Sequence, residues 1–147
     1  MTRADRAEEL FKSGYNCAQS VVGAFAEDLG LDFNTAMKMS EGFGGGMGRM
    51  RLTCGAVTGM FMLAGLCLSD GEAGDMKTRE TVYGTVQKMA HEFEEINGSV
   101  VCGDLLGINR PKDNTAKPTE RTADFYKKRP CIACVRDCAE IAEKYMK

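Results

Sequence analysis

Residues 52–68 read LTCGAVTGMFMLAGLCL and lie within the longest uncharged stretch of the chain. Its 17 residues reach only the lower edge of the length that spans a bilayer, and no aromatic belt flanks them. We therefore interpret the stretch as a buried helix that begins at Cys54, with Thr53 as its cap. Gly55, Ala56 and Gly59 lie near its start and let a neighbouring backbone approach closely. Each glycine inside a helix lowers the stability of that helix by about 1 kcal/mol relative to alanine. We therefore expect these glycines to permit tight packing or ligand access.

Helical periodicity continues on both sides of this stretch, whereas the alternation typical of strands is weak. Residues 42–51 read GFGGGMGRMR, and so many glycines predict a loop. Residues 107–118 predict a polar loop. Apolar positions and capping residues predict further helices over about 4–13, 17–29, 33–41, 76–96, 99–106, 119–128 and 131–146. The sequence therefore predicts an all-α fold: a single-domain bundle of about six or seven helices, covering residues 1–147, around a central glycine-rich helix.

Composition limits the function classes. The chain has 147 residues and a net charge of −2, so nothing favours nucleic acid or an anionic membrane as a partner. Its first residues, MTRADRAEELFKSG, contain no apolar run that would indicate a signal peptide. Seven cysteines without such a segment predict a reducing, cytoplasmic setting, where clustered thiols serve redox chemistry, bind metal or pack in a core.

Cys54 is the first candidate for chemistry, because a helix N-terminus stabilises a thiolate. Arg49 and Arg51 precede it and favour the same charge state. We therefore expect a low pKa for this thiol. The preceding glycine-rich loop lacks the third glycine of G-x-G-x-x-G and has no strand before it, which disfavours a dinucleotide site.

The C-terminal cysteines form the second candidate, within RPCIACVRDC at residues 129–138. Pro130 favours a helix start that puts Cys131 in the first turn, among cationic side chains that favour its thiolate. Cys131, Cys134 and Cys138 share one helix face at spacing i, i+3, i+7, which suits either a metal site or a buried stripe. Val135 follows Cys134, so the C-x-x-C-H motif of c-type haem is absent and no c-type haem is expected.

Four landmarks follow one another along the chain: GYNCAQSV, GGGMGRMRLTCGAVTG, CGDLLG and a cysteine that opens the terminal helix. This order resembles the family of redox-active proteins named for the pattern C_GCAxxG_C_C, over nearly the whole chain. The resemblance implies a helical fold and a redox role, and it assigns the four pattern positions to Cys17, Cys54, Cys102 and Cys131.

The chain departs from the named pattern at its centre. Thr53 stands where the motif has glycine, and Gly55 intervenes between Cys54 and Ala56. Three further cysteines lie outside the pattern: Cys67, Cys134 and Cys138. The resemblance implies that cysteine sulfur carries the chemistry, but it does not identify a substrate.

Three functions remain open at this point. The first is thiol redox chemistry, which would make the protein a thiol oxidoreductase with a redox partner protein. The second is a zinc or iron–sulfur site held by Cys17, Cys54, Cys102 and Cys131, with Cys134 and Cys138 as further ligand candidates. The third is a non-catalytic helical module with packed cysteines. A close approach of Cys54 to Cys17 or Cys102 is expected, and the glycine- and methionine-rich segments are compatible with a homodimer.

Overall fold

The computed structural model describes residues 1–108 and 115–146. Its α-helices in chain order are α1 Arg3–Lys12, α2 Cys17–Gly23, α3 Phe33–Glu41, α4 Gly55–Leu68, α5 Met76–Asn97, α6 Cys102–Leu106, α7 Ala123–Lys128 and α8 Cys131–Tyr145. Within the described residues, β pairing is limited to one isolated antiparallel bridge between Thr53 and Val101. The predicted all-α fold is confirmed.

Side-chain caps explain where most helices start. Thr2 and Asn16 form reciprocal capping boxes at α1 and α2, and Asp32, Asp75 and Thr122 cap α3, α5 and α7. Each cap accepts a hydrogen bond from a backbone N–H that the helix itself leaves unused.

Two predicted boundaries were wrong. The second helix ends at Gly23 rather than near residue 29, and a 3₁₀ turn at Glu27–Leu29 follows it. Gly23 lies where Leu10, Met37 and Phe33 crowd the backbone, so the chain turns there to pass between its neighbours. The cap of α4 is Cys54 rather than Thr53, because Thr53 is held in the bridge to Val101. The predicted loop at 107–118 lies partly outside the described residues.

Helix α4 packs against α2, α5 and α8, while α1 lies along α8. Residues 55–60 at its start are all buried. Gly59 faces the backbone of α2, where an added Cβ would lie 2.9 Å from the carbonyl oxygen of Ala18. This spacing explains the small residues of α4. None of the helices in the described part of the chain combines the length and the apolar character that crossing a membrane requires.

The glycine-rich loop between α3 and α4 has a left-handed backbone. Five successive residues, 45–49, have φ between 58° and 74°, and Arg51 has φ 62°. Two of its backbone N–H groups close the loop: Arg51 donates to the carbonyl of Gly45 at 3.2 Å, and Leu52 donates to that of Gly46 at 2.9 Å. Non-glycine residues rarely adopt this conformation, so the compact turn depends on the glycines among them.

Candidate functional site

All four pattern cysteines stand at the start of a helix. Cys17, Cys102 and Cys131 are the first residues of α2, α6 and α8, and Cys54 is the residue that caps α4. The backbone N–H groups of a first helical turn have no partner within the helix and carry a partial positive charge. The family pattern therefore marks four places where a sulfur atom meets the electropositive end of a helix.

These helix starts converge on one pocket of about 540 Å³. Five thiols line it, those of Cys17, Cys54, Cys102, Cys131 and Cys134. The volume lies within the range of small-molecule binding sites. Cys67 and Cys138 are not among the lining residues, and Cys138 is buried in the core instead. The predicted stripe on α8 therefore divides between the pocket and the core.

Backbone pairing brings two of the helix starts together. The N–H of Cys54 donates to the carbonyl of Val100 at 2.8 Å, and the N–H of Cys102 donates to that of Leu52 at 2.6 Å. These hydrogen bonds flank the bridge between Thr53 and Val101. The chain segments that lead into α4 and α6 thus run side by side, and each delivers a cysteine to the pocket.

Two glycines make room for two of the thiols. A Cβ added at Gly55 would lie 2.5 Å from Sγ of Cys17, and one added at Gly46 would lie 2.6 Å from Cβ of Cys102. Real carbon atoms do not approach other atoms so closely, so neither position accepts a side chain without a shift. The inserted Gly55, a departure from the named pattern, is the residue that allows Cys17 to reach the start of α4.

Cys54 interacts with Cys134 of α8. This interaction is the largest cause that raises the pKa of Cys54 well above its ordinary value of 9.0, followed by burial. The nearby backbone N–H groups of Ala56 and Val57 lower its pKa, but they do not outweigh the other two causes. Cys54 also adds to the raised pKa values of Cys17 and Cys102, and its predicted close approach to one of these two thiols stays a prediction.

Three further pocket thiols, those of Cys17, Cys102 and Cys131, are also held in the protonated form. Burial raises the pKa of Cys17 to about 11 and that of Cys131 to about 12, and nearby thiols add to both shifts. Burial likewise raises the pKa of Cys102, although a hydrogen bond from Arg51 lowers it in part. The expectation of low pKa values at Cys54 and Cys131 was therefore wrong for the fully reduced protein, because desolvation and crowding outweigh the helix ends and the cations.

Four arginines line the same pocket: Arg49, Arg51, Arg121 and Arg129. Arg51 is 1% exposed, and its Nη1 lies 3.7 Å from Sγ of Cys102. Arg121 donates to the carbonyls of Phe11 at 2.7 Å and Tyr15 at 2.9 Å, so it ties α7 to α1 across the rim. Cationic side chains and thiols thus line the same pocket.

The predicted zinc or iron–sulfur site does not fit this arrangement. Within residues 1–108 and 115–146, no three cysteine, histidine, aspartate or glutamate side chains come together in a way that would hold a metal ion. A tetrahedral sulfur site needs three or four sulfurs around one point, at about 2.3 Å from zinc. The five thiols instead line the wall of one pocket.

Sequence reasoning found one part of this site and missed another. Arg51 and Arg129 were predicted as cations beside Cys54 and Cys131, because they stand close to these cysteines in the chain. Arg121 was missed, because its place depends on the chain before α7 folding back onto α1. The interaction between Cys54 and Cys134 depends in the same way on how α4 packs against α8.

Comparisons with known proteins agree with the landmarks. A curated relative from Archaeoglobus fulgidus, described as "Uncharacterized protein", is 30% identical over 149 aligned residues, which cover 97% of this chain and 91% of the relative. No solved structure matches the chain. Residues 15–145 match the family described as "Putative redox-active protein (C_GCAxxG_C_C)". The chain therefore belongs to the C_GCAxxG_C_C family.

Proposed function

We propose that this protein is a thiol redox protein that cycles between a dithiol and a disulfide within the pocket. The observation that carries the proposal is the convergence of four helix starts, each with a cysteine, on one pocket together with Cys134. Cys138 lies in the core and does not line the pocket, whereas Cys54 and Cys134 belong to the same core and also line the pocket. Packing alone does not require five thiols on the wall of a cavity.

The buried pair Cys54 and Cys134 is the central couple of the proposal. Oxidation breaks two S–H bonds and forms one S–S bond, while two electrons and two protons pass to an acceptor disulfide that becomes two thiols. The interaction with Cys134 that raises the pKa of Cys54, together with the place of both thiols on the pocket wall, supports this pairing. Both residues are buried, so they exchange electrons with the outside through another thiol of the pocket.

Cys131 is the proposed entry thiol. It is less buried than Cys54 and Cys134, and it opens α8 next to Arg129, whose charge favours its thiolate. Cys17 and Cys102 complete the set of thiols that can exchange with a mixed disulfide at the pocket. The redox partner in this proposal is a disulfide-bearing molecule or protein, and the cytoplasm is the proposed setting because its thiols are kept reduced.

Thiol counting on oxygen-free protein tests the proposal. The reduced protein should show all seven thiols and should lose one pair on mild oxidation with a disulfide reagent. Cys54→Ser and Cys134→Ser should each abolish that loss, because each removes one partner of the couple. Cys67→Ser is the matched control on α4, since Cys67 does not line the pocket, and it should lose the pair as the wild type does.

Other outcomes would replace this function. Seven thiols that resist mild oxidation, with no metal bound, would leave a helical module in which the cysteines only pack. A brown protein with stoichiometric iron would favour an iron–sulfur protein instead, and a colourless one with stoichiometric zinc would favour a structural zinc site. The absorption spectrum and the metal content of the same sample therefore accompany the thiol count.

A further inference from the structure

The described wall of the pocket is rich in cations. Four guanidinium groups line it, and Glu41 is the one carboxylate among the described lining residues. Burial holds the thiols of Cys17 and Cys131 in the neutral form. A cavity with clustered cations and low-dielectric walls concentrates anions from solution.

Arg129 is the cation best placed to meet a ligand. Its guanidinium lies 4.8 Å from the ring centroid of Phe125, and no hydrogen bond joins this guanidinium to another residue in the described part of the chain. Burial lowers its pKa, and the charges of Arg51 and Arg49 lower it further, so these cations lie near one another. An anion beside Arg129 would accept charge-assisted hydrogen bonds from its guanidinium.

Thiols and cations occupy adjacent positions on the wall. Arg129 interacts electrostatically with Cys131 and Cys102, and Arg51 donates to Cys102 at 3.7 Å. A ligand whose anionic group meets the guanidinium groups therefore has its remaining atoms beside the thiols. The pocket volume of about 540 Å³ accommodates a small organic molecule in that orientation.

We propose that the pocket binds small carboxylate-bearing disulfides, with the carboxylate on Arg129 and Arg51 and the sulfur–sulfur bond facing Cys131. This inference rests on the proposed thiol redox function for its chemical step. Cys131 attacks one sulfur, its proton leaves with the released thiol, and a mixed disulfide forms. A second pocket thiol then forms a protein disulfide with Cys131 and releases the second ligand thiol, and thiol–disulfide exchange passes the disulfide to Cys54 and Cys134.

Binding is tested first with a ligand that cannot be reduced. Thiodiglycolate, the thioether with two carboxylates, is titrated by calorimetry into the reduced protein without oxygen. Arg129→Gln should weaken its binding about tenfold or more, the expected effect of losing one charge-assisted contact. Lys127→Gln is the matched control: it removes the same charge two residues away, from an exposed side chain that does not line the pocket, and it should bind as the wild type does. Absence of binding, or equal binding by Arg129→Gln, overturns the inference.

Turnover separates this inference from the redox function. Dithiodiglycolate carries two carboxylates, whereas hydroxyethyl disulfide has a similar size and no charge. The wild type should reduce the charged compound at least tenfold faster, and Arg129→Gln should remove that preference while it still reduces the neutral compound. If the thioether binds and neither disulfide is reduced, the result supports the anion site and overturns the redox function. If both disulfides are reduced at equal rates and the thioether does not bind, the result supports the redox function and overturns the anion site.

Discussion

At Gly55 a missing side chain provides the space for a sulfur atom. An added Cβ would lie 2.5 Å from Sγ of Cys17 and 2.7 Å from the carbonyl oxygen of Phe43. The second of these neighbours is backbone and does not move aside easily. The position therefore links the identity of one residue in α4 to the place of a cysteine in α2.

Alanine substitutions on α4 should separate this effect from helix propensity. Gly55→Ala should lower the free energy of unfolding by about 1–3 kcal/mol, because overpacking outweighs the gain in helix propensity. Gly65→Ala on the same helix should raise it by about 0.5–1 kcal/mol, since no atom lies within 4 Å of the added Cβ. Urea unfolding of the reduced proteins measures both values. A stabilised Gly55→Ala variant would contradict the close approach of Cys17.

The sequence indicated part of the site at this scale. Cys54 and Cys131 were predicted at helix starts, because an uncharged run and a proline each marked a beginning. The direction of their pKa shifts was wrong, since burial and neighbouring thiols depend on tertiary packing. Cys134 was considered as a metal ligand or as part of a buried stripe, and its interaction with Cys54 joins two helices far apart in the chain.

At the scale of elements, the glycine-rich loop sets the distance between α4 and α6. Gly46 has φ 74°, and a Cβ there would meet Cys102, Arg51 and Leu52 within 2.6–2.8 Å. Gly48 has φ 58°, and its nearest neighbour would be the carbonyl oxygen of Gly42 at 3.7 Å. The two glycines share the left-handed backbone and differ in what surrounds them.

Alanine at these two glycines should have unequal effects. Gly48→Ala should cost about 1–2 kcal/mol of unfolding free energy, from the left-handed conformation alone. Gly46→Ala should cost more than Gly48→Ala, because it adds a clash with the backbone and with Cys102. It should also speed the alkylation of Cys102, which mass spectrometry after a timed reaction detects. Equal losses of stability and equal alkylation would show that the loop does not press against α6.

The helices themselves were largely predictable. Apolar periodicity and capping residues located α1, α3 and α5 closely, because these signals are local. The early end of α2 was not predictable, since it results from side chains of α1 and α3 that crowd Gly23. The cap of α4 was misassigned for a similar reason, because Thr53 is engaged by a residue from a distant part of the chain.

At the scale of the whole molecule, the buried thiols make the free energy of unfolding depend on pH in the alkaline range. Cys131 has a pKa of about 12 in the folded protein against an ordinary value of 9.0, and Cys17 is raised to about 11. Below pH 9 both states keep these protons, so the thiols add no pH dependence. Above pH 9 the unfolded chain loses protons first, and the free energy of unfolding falls.

Each such thiol should lower the free energy of unfolding by about 1.4 kcal/mol per pH unit across this window. Between pH 9 and pH 11, the free energy of unfolding of the Cys131→Ala variant should fall less steeply with pH than that of the wild type, by the contribution of one thiol. Urea unfolding at several pH values in that range, without oxygen, compares it with the wild type. An unchanged slope would mean that Cys131 ionises as easily in the folded protein as in the unfolded one.

Because each pattern cysteine stands where a helix begins, the sulfur cluster is independent of how long the helices and their connections are. The turn at residues 69–75 joins the end of α4 that lies away from the pocket thiols to the start of α5, and insertions there would lengthen the chain without moving any of these five sulfurs. Family members are therefore free to diverge in length and in the sequence spacing of their motifs while they keep the same arrangement of thiols.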